Sequence, residues 1–81
     1  MKLPRDASGA KLVKALAALG YRTTRQTGSH IRLTCEAPTQ HHITIPNHDQ
    51  LRVGTLAAIL GDVASHHGIE RDALVERLFG R

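Results

Sequence analysis

The sequence predicts an α+β fold in which a three-stranded antiparallel sheet carries two helices on one face, with a short third helix at the C-terminal end. Two patterns support this prediction. Apolar residues recur at helical spacing in three segments, which lie within residues 12–19, 56–63 and 74–79. Between the first two segments, apolar and polar residues alternate through short runs separated by turn residues, as they do in half-buried strands. The predicted order is therefore α-β-β-β-α-α.

The first helix is predicted to begin after Ser8, whose hydroxyl suits the N-cap position. Its apolar positions share one helical face: Leu12, Val13, Leu16 and Leu19. Gly20 follows at once, and glycine is the usual residue where a helix ends in a left-handed conformation. We therefore expect one amphipathic helix that stops at Gly20.

Two strands are predicted next, over residues 21–26 and 30–35, with a turn at Thr27 and Gly28 between them. The second strand alternates without interruption. Its two faces contain Ile31, Leu33 and Cys35 on one side, and His30, Arg32 and Thr34 on the other. The apolar face should meet the helices, with Cys35 as a small core residue, and the polar face should stay exposed.

A third strand is predicted over residues 41–45 and ends before a proline, because proline lacks the N–H that a strand ladder needs. The second helix is predicted to open at Gly54 and Thr55 and to end near Gly68. A shorter helix from about Glu70 adds apolar side chains to one side of the core. Each helix has one apolar stripe, so the two longer helices should share one face of the sheet.

Length, composition and charge narrow the functional classes. The 81 residues amount to one domain, residues 1–81, and no apolar run approaches the roughly 20 residues of a membrane-spanning helix. A single cysteine, and an N-terminus without the apolar run of a signal peptide, predict a cytoplasmic protein. The net charge is +4, and residues 8–35 contain five basic residues and no acidic one, which predicts a polyanionic partner. Aromatic residues make up only 2% of the chain, so backbone charge rather than base stacking should dominate binding.

The stretch Gly28-Ser29-His30 places a histidine at the start of a strand and on its polar face. The imidazole there is flanked by arginines, and a flexible glycine precedes the strand that carries it. It is therefore well placed to move protons beside a phosphate. RNA carries its own nucleophile, the 2′-hydroxyl. Its cleavage needs a base, an acid and positive charge near the phosphoryl oxygens, and no metal is required. The sequence therefore predicts His30 as a general base or acid.

Four stretches together resemble one known family, the HicA-type toxins of bacterial toxin–antitoxin systems. They are the first helix up to Gly20, Gly28-Ser29-His30, Ile45-Pro46-Asn47-His48, and Gly54-Thr55-Leu56 with Ile59-Leu60. The resemblance covers about residues 8–68 and leaves a C-terminal helical extension of about residues 69–81. It implies a fold similar to a double-stranded-RNA-binding domain and the activity of a small endoribonuclease, an mRNA interferase.

The resemblance also implies a catalytic residue, a substrate and a partner. His30 matches the histidine of the family's Gly-Ser-His motif, messenger RNA is the implied substrate, and an antitoxin of the HicB type is the implied inhibitor. Ile31 stands where many relatives have a second histidine. His48, in the turn after the third strand, is the candidate for a second proton-transfer group if that turn folds back toward the hairpin. No metal, other cofactor or membrane is expected to take part, and the toxin alone is expected to be a monomer.

RNA-binding roles are predicted for residues that bring positive charge or amide donors to this region: Lys11, Lys14, Arg25, Ser29, Arg32 and Thr55. One alternative is a non-catalytic RNA-binding module, in which His30 only contacts a phosphate or a 2′-hydroxyl. A more remote one is an adaptor that uses its C-terminal helix for protein contacts. A zinc site built from the pairs His41-His42 and His66-His67 is disfavoured, because adjacent strand residues point to opposite faces.

Overall fold

A computed structural model describes residues 3–4 and 7–80 of the chain. The described residues form α1 (Gly9–Leu16), a 3-10 turn (Ala17–Leu19), β1 (Arg22–Thr27), β2 (His30–Cys35), β3 (His41–Pro46), α2 (Val53–His67) and α3 (Arg71–Phe79). Both the α+β class and the order α-β-β-β-α-α are confirmed. The prediction succeeded because apolar residues recur with helical spacing in the helices and alternate with polar residues in β2 and β3.

Local chemistry sets both ends of the first helical segment. Ser8 is the N-cap of α1, and its hydroxyl accepts a 3.0 Å hydrogen bond from the Lys11 amide. After the 3-10 turn, Gly20 has φ +93°, a left-handed conformation that glycine adopts without steric cost. Both predicted ends are confirmed, because capping depends only on residues within one turn.

The three strands form an antiparallel sheet in the order β1-β2-β3. His30 of β2 pairs with Thr27 of β1 and with Pro46 of β3. The turn therefore consists of Gly28 and Ser29, one residue later than predicted, because Thr27 still belongs to the ladder. Gly28 has φ +52°, which fits a two-residue turn with glycine first. Among the described residues, only glycines have a positive φ. We call this end of the sheet the hairpin end.

The helices cover one face of the sheet and leave the opposite face open. α1 and α2 pack against the strands, and α3 packs against both of these helices. The largest fully buried side chains are Leu12, Leu16, Leu33, Ile45, Leu56, Leu60, Leu74, Val63, Val75 and Cys35. Two of them belong to α3, so the C-terminal extension contributes to the same core. None of the helices in the described part of the chain has the length and apolar character needed to cross a bilayer.

The start of α2 differs from the prediction that Gly54 and Thr55 open the helix. Its first residue is Val53, and its N-cap is Arg52, whose side chain makes no capping hydrogen bond. The Leu56 amide donates the first intrahelical bond to the Arg52 carbonyl at 2.9 Å. The prediction was wrong because it relied on residue types that favour caps, whereas buried Leu51, whose amide bonds to the Ala7 carbonyl, fixes the chain just before this helix.

Candidate active site

The open face is the surface of the sheet opposite the helices. Strand alternation places His30 and Arg32 of β2 on it, and the register sets Arg25 of β1 directly opposite Arg32. All three residues are exposed. A depression of about 180 Å³ on this face is lined by Arg25, Thr27, His30, Arg32 and Thr44. The structure thus brings together three of the residues that the sequence predicted for the site.

The imidazole of His30 is exposed on the open face. Within the described residues its side chain makes no hydrogen bond, ion pair or ring contact. Its backbone, by contrast, is held by pairing with a strand on each side. Neutral imidazole has one donor and one acceptor nitrogen, so this ring can take a proton from one ligand atom and give one to another. The arrangement suits a general acid or base.

The charges of Arg25 and Arg32 favour an anion at this site. Like charges directly opposite each other on a ladder repel. Within the described residues neither guanidinium is paired with a carboxylate. A bound phosphate would relieve the repulsion, because its oxygens can accept hydrogen bonds from both planar guanidinium groups.

The loop after β3 returns to the hairpin end. The Asn47 amide donates to the Ser29 carbonyl at 2.7 Å, and the His48 carbonyl accepts from the Gly9 amide at 2.9 Å. His48 is exposed. The turn therefore folds back toward the hairpin, which places His48 at the same end of the sheet as His30.

Two helix N-termini also lie at the hairpin end. Gly9 begins α1, and Leu51, just before α2, donates its amide to the Ala7 carbonyl at 2.8 Å. Helix N-termini carry partial positive charge and amides that have no partner within the helix, which favours phosphate nearby. Thr55 is half-buried in the first turn of α2. Its position fits a backbone contribution to such binding better than a side-chain one.

Lys11 and Lys14 are not brought together with the open-face arginines. Both lysines are exposed on α1, which packs on the opposite face of the sheet from Arg25 and Arg32. Lys11 lies in the first turn of α1, near the hairpin end, and Lys14 lies in the last turn. The basic segment that reads as one block in the sequence is therefore divided between two sides of the molecule.

The other end of the sheet holds a group of ring side chains that we call the histidine cluster: Tyr21, His41, His66 and His67. The Tyr21 hydroxyl donates to Nδ1 of His41 at 2.6 Å and accepts from Nε2 of His67 at 3.2 Å. The rings of His41 and His66 stack with their centroids 4.1 Å apart. Nε2 of His66 donates to the Thr39 carbonyl at 2.9 Å. Neutral imidazoles satisfy every one of these contacts.

Burial and neighbouring charge keep two members of the cluster neutral. Burial, followed by electrostatic interaction with Cys35 and then with Asp62, raises the pKa of Tyr21 from 10.0 to about 12. Burial, followed by positive charge on neighbours, chiefly His66, lowers the pKa of His67 below its ordinary value. Across the described residues, no group of three or more His, Cys, Asp or Glu side chains is arranged to hold a metal ion.

Sequence reasoning missed a second set of polar residues on the open face. The buried Thr34 hydroxyl lies 2.9 Å from the hydroxyl of Thr24 and 2.8 Å from Nδ1 of His42. A second depression of about 460 Å³ is lined by Arg32, His42, Ile43, Thr44, Ala58, Ile59 and Asp62. Alternation along β3 could have placed His42 on this face. No pattern in the sequence indicates that Ala58, Ile59 and Asp62 of α2 would line the same depression.

One protein-family model, described as the HicA toxin of bacterial toxin–antitoxin, matches residues 9–64, which is more than half of the chain. A search of curated proteins and a search of solved structures found no significant match. The matched segment contains α1, the whole sheet and most of α2, so it includes His30 and the open face. Because this match covers more than half of the chain, the chain belongs to the HicA toxin family of bacterial toxin–antitoxin systems.

Proposed function

We propose that this toxin is an endoribonuclease that cleaves messenger RNA without a metal ion, with His30 as general base or acid. The observation that carries the proposal is the imidazole of His30, which makes no hydrogen bond, ion pair or ring contact with the described residues and shares a depression with Arg25 and Arg32. Membership of a toxin family supports a harmful activity, and the chemistry of the open face points to phosphodiester cleavage.

The reaction uses the 2′-hydroxyl of RNA as its nucleophile. A base removes the hydroxyl proton, and the oxygen attacks the adjacent phosphorus in line with the departing 5′-oxygen. An acid protonates that oxygen as its bond to phosphorus breaks, which leaves a 2′,3′-cyclic phosphate and a 5′-hydroxyl. Imidazole exchanges protons readily near neutral pH, and such catalysis contributes typically ~10² to 10⁴ in rate.

Arg25 and Arg32 supply positive charge where the reaction builds negative charge. The phosphoryl oxygens are more negative in the transition state than in the bound RNA, so fixed donors beside them favour the transition state. The Ser29 amide in the turn and the N-terminus of α2 near Thr55 are further donors to the backbone. Lys11 and Lys14 lie on the other side of the sheet, where they assist binding of longer RNA by charge alone.

His48 is the proposed second proton-transfer group. Its backbone is tied to α1 through the Gly9 amide, and its side chain is exposed at the hairpin end. A second imidazole at this end allows one ring to act as base and the other as acid during the same cleavage.

An antitoxin of the HicB type is the proposed partner, and we expect it to cover the open face. Its contacting surface should be acidic, because the described residues leave the charges of Arg25 and Arg32 uncompensated. Their association should therefore weaken as the salt concentration rises. We also propose a cytoplasmic location, a monomeric free toxin and a single domain over residues 1–81.

An RNA cleavage assay in excess EDTA tests the proposed activity. Wild-type protein should produce cyclic or 3′-phosphate ends, and His30→Ala should cleave slower by ~10² to 10⁴-fold while keeping the wild-type circular dichroism spectrum. Glu70→Gln, an exposed change where α3 begins, serves as the matched control and should cleave at the wild-type rate. A full rate in His48→Ala would remove that residue from the mechanism.

The same open face fits a second function, a non-catalytic RNA-binding module. In that case His30 contacts a phosphate or a 2′-hydroxyl and transfers no proton. Such a protein would shift the mobility of RNA without shortening it, and His30→Ala would lose affinity rather than rate. Intact RNA after incubation with wild-type protein that demonstrably binds it would therefore replace the ribonuclease proposal with this one.

A further inference from the structure

The larger depression lies at the β3 edge of the sheet, between the open face and α2, and is not used in the chemistry proposed above. We call it the His42 groove, and its lining is Arg32, His42, Ile43, Thr44, Ala58, Ile59 and Asp62. Its volume of about 460 Å³ falls within the usual range for small-ligand sites, which is about 300 to 1,000 Å³. Apolar residues from β3 and α2 combine there with a few polar groups. Ligand sites share this mixed composition.

A buried hydroxyl sets the orientation of His42. Thr34 is 4% exposed, and its hydroxyl is 2.8 Å from Nδ1 of His42 and 2.9 Å from the hydroxyl of Thr24. The Thr24 hydroxyl donates to the Arg32 carbonyl at 3.4 Å, so it accepts from the Thr34 hydroxyl. Thr34 thereby donates its one proton, and it accepts from Nδ1–H of His42. Nε2 of the neutral His42 ring is thus a hydrogen-bond acceptor with no contact among the described residues.

Asp62 adds an acceptor to the same groove. Its Oδ1 accepts from Nε2 of His41 at 3.3 Å, which ties the carboxylate to the histidine cluster. A carboxylate repels phosphate, so a groove that combines Asp62 with apolar residues is poorly suited to the RNA backbone. Carboxylates instead accept hydrogen bonds from the amino and ring N–H groups of nucleobases.

The position of His42 separates it from the bond that His30 would cleave. Thr34 follows His30 by four residues along β2, which at about 3.3 Å per residue is about 13 Å. The hydrogen bond between Thr34 and His42 holds the His42 ring at that distance. The two imidazoles therefore act on different nucleotides. The His42 groove and the smaller depression nevertheless share Arg32 and Thr44, so one bound strand can occupy both.

We infer that the His42 groove is a subsite for one nucleobase of single-stranded RNA, next to the nucleotide that is cleaved. The inference rests on the proposed function, because it assigns the base at this position to an RNA strand whose phosphate lies beside His30. Apolar side chains of β3 and α2 cover the faces of the base. Nε2 of His42 and the carboxylate of Asp62 accept hydrogen bonds from the N–H groups at its edge, and Thr34 is a positioning residue for His42.

The subsite is tested with fluorescently labelled RNA hexamers that share one sequence. One hexamer is intact, and each of the others lacks the base at one position. Cleavage rate and binding anisotropy are both measured in EDTA. Wild-type protein should lose about tenfold in rate and affinity when one particular flanking base is missing. His42→Ala and Asp62→Asn should lose most of that dependence on the base and process the abasic hexamer as the wild-type protein does.

Two matched variants separate this role from charge and from folding. Glu70→Gln removes one negative charge away from the groove and should keep the full dependence on the flanking base. Thr34→Val removes the hydroxyl that orients His42, and should weaken the dependence, while Thr34→Ser should restore it. Unchanged circular dichroism would show that each variant folds.

Each outcome decides the inference. If His42→Ala keeps the wild-type sensitivity to base removal, or if no flanking base matters to the wild-type protein, the groove is not a base subsite. If the wild-type protein cleaves nothing, the proposed ribonuclease activity fails, and the anisotropy series decides the subsite by itself. A base-dependent affinity that disappears in His42→Ala would then still support it, and one that persists would overturn it.

Discussion

His30 and the histidine cluster lie at opposite ends of one sheet and differ in the contacts that their imidazoles make. The His30 ring has no hydrogen bond, ion pair or ring contact within the described residues. At the other end, the Tyr21 hydroxyl joins His41 to His67, and the ring of His66 stacks on that of His41. An imidazole whose nitrogens are committed stabilises the fold, whereas one whose nitrogens are free can serve a substrate.

Because of this difference, activity and stability should depend on different residues of this small protein. Changes to exposed side chains at the hairpin end should alter cleavage and leave the free energy of unfolding nearly unchanged. Changes in the histidine cluster should do the reverse, because they remove hydrogen bonds between β3, α2 and the start of β1. The following predictions test that separation, beginning with the largest effect.

Gly9→Ala should lower both stability and cleavage rate, because Gly9 joins the hairpin end to the core. An alanine Cβ there would overlap the carbonyl oxygen of Pro46 and lie 3.1 Å from Cα of Asn47. The backbones must move apart, which also strains the hydrogen bond to the His48 carbonyl. We expect urea unfolding to show a loss of about 1–3 kcal/mol, together with slower cleavage.

Gly61→Ala is the matched control for that substitution. A Cβ at Gly61, in the middle of α2, would meet no atom of the described residues within 4 Å beyond its chain neighbours and the adjacent backbone of its own helix. Alanine should therefore stabilise the helix by about 0.5–1 kcal/mol and leave cleavage unchanged. Wild-type stability and cleavage in Gly9→Ala would mean that α1 and the loop after β3 can move apart freely.

Tyr21→Phe should lower stability without affecting cleavage at pH 7. The substitution keeps the buried ring but removes the hydroxyl that bonds both His41 and His67. The expected loss is about 1–2 kcal/mol in urea unfolding, since two part-buried nitrogens lose their partner. A fall in the cleavage rate at unchanged stability would instead assign the histidine cluster to the active site.

Arg25 and Arg22 offer a comparison of two cations on the same strand. Arg22 lies 3.6 Å from the Glu36 carboxylate, whereas Arg25 is unpaired within the described residues. Arg25→Gln should therefore weaken RNA binding and reduce the salt slope of log Kd by about 0.7, the value for one contact to single-stranded phosphate. Arg22→Gln should change that slope less, and equal slopes in the two variants would show that the open face has no preferred phosphate position.

The pH dependence of stability should come from the histidine cluster. The pKa of His67 is lowered in the folded protein, so the unfolded chain binds more protons just below pH 6.5, and stability should decrease as the pH falls through that range. The pKa of Tyr21 is raised to about 12, so the unfolded phenol ionises first, and stability should decrease as the pH rises from 10 toward 12. Thermal unfolding across pH would show both slopes, and Tyr21→Phe should remove the alkaline one.

Those parts of the site that follow from strand alternation could be predicted. His30 and Arg32 share a face because side chains alternate along β2, and a hairpin brings Arg25 beside them. The division of the basic residues could not be predicted, because only packing decides that α1 carries Lys11 on the opposite face of the sheet. The start of α2 was misplaced for a similar reason, since buried Leu51, bonded to the Ala7 carbonyl, fixes the chain just before the helix.

By itself, the sequence determined the elements, their order, the Ser8 and Gly20 caps and the exposed position of His30, because capping, turn chemistry and periodicity act over a few neighbouring residues. Only the tertiary structure decided the histidine cluster and the His42 groove. Tyr21 meets His67 across 46 residues of chain, and Asp62 reaches the groove from α2. Contacts of that kind depend on how the helices pack on the sheet, which no local pattern encodes.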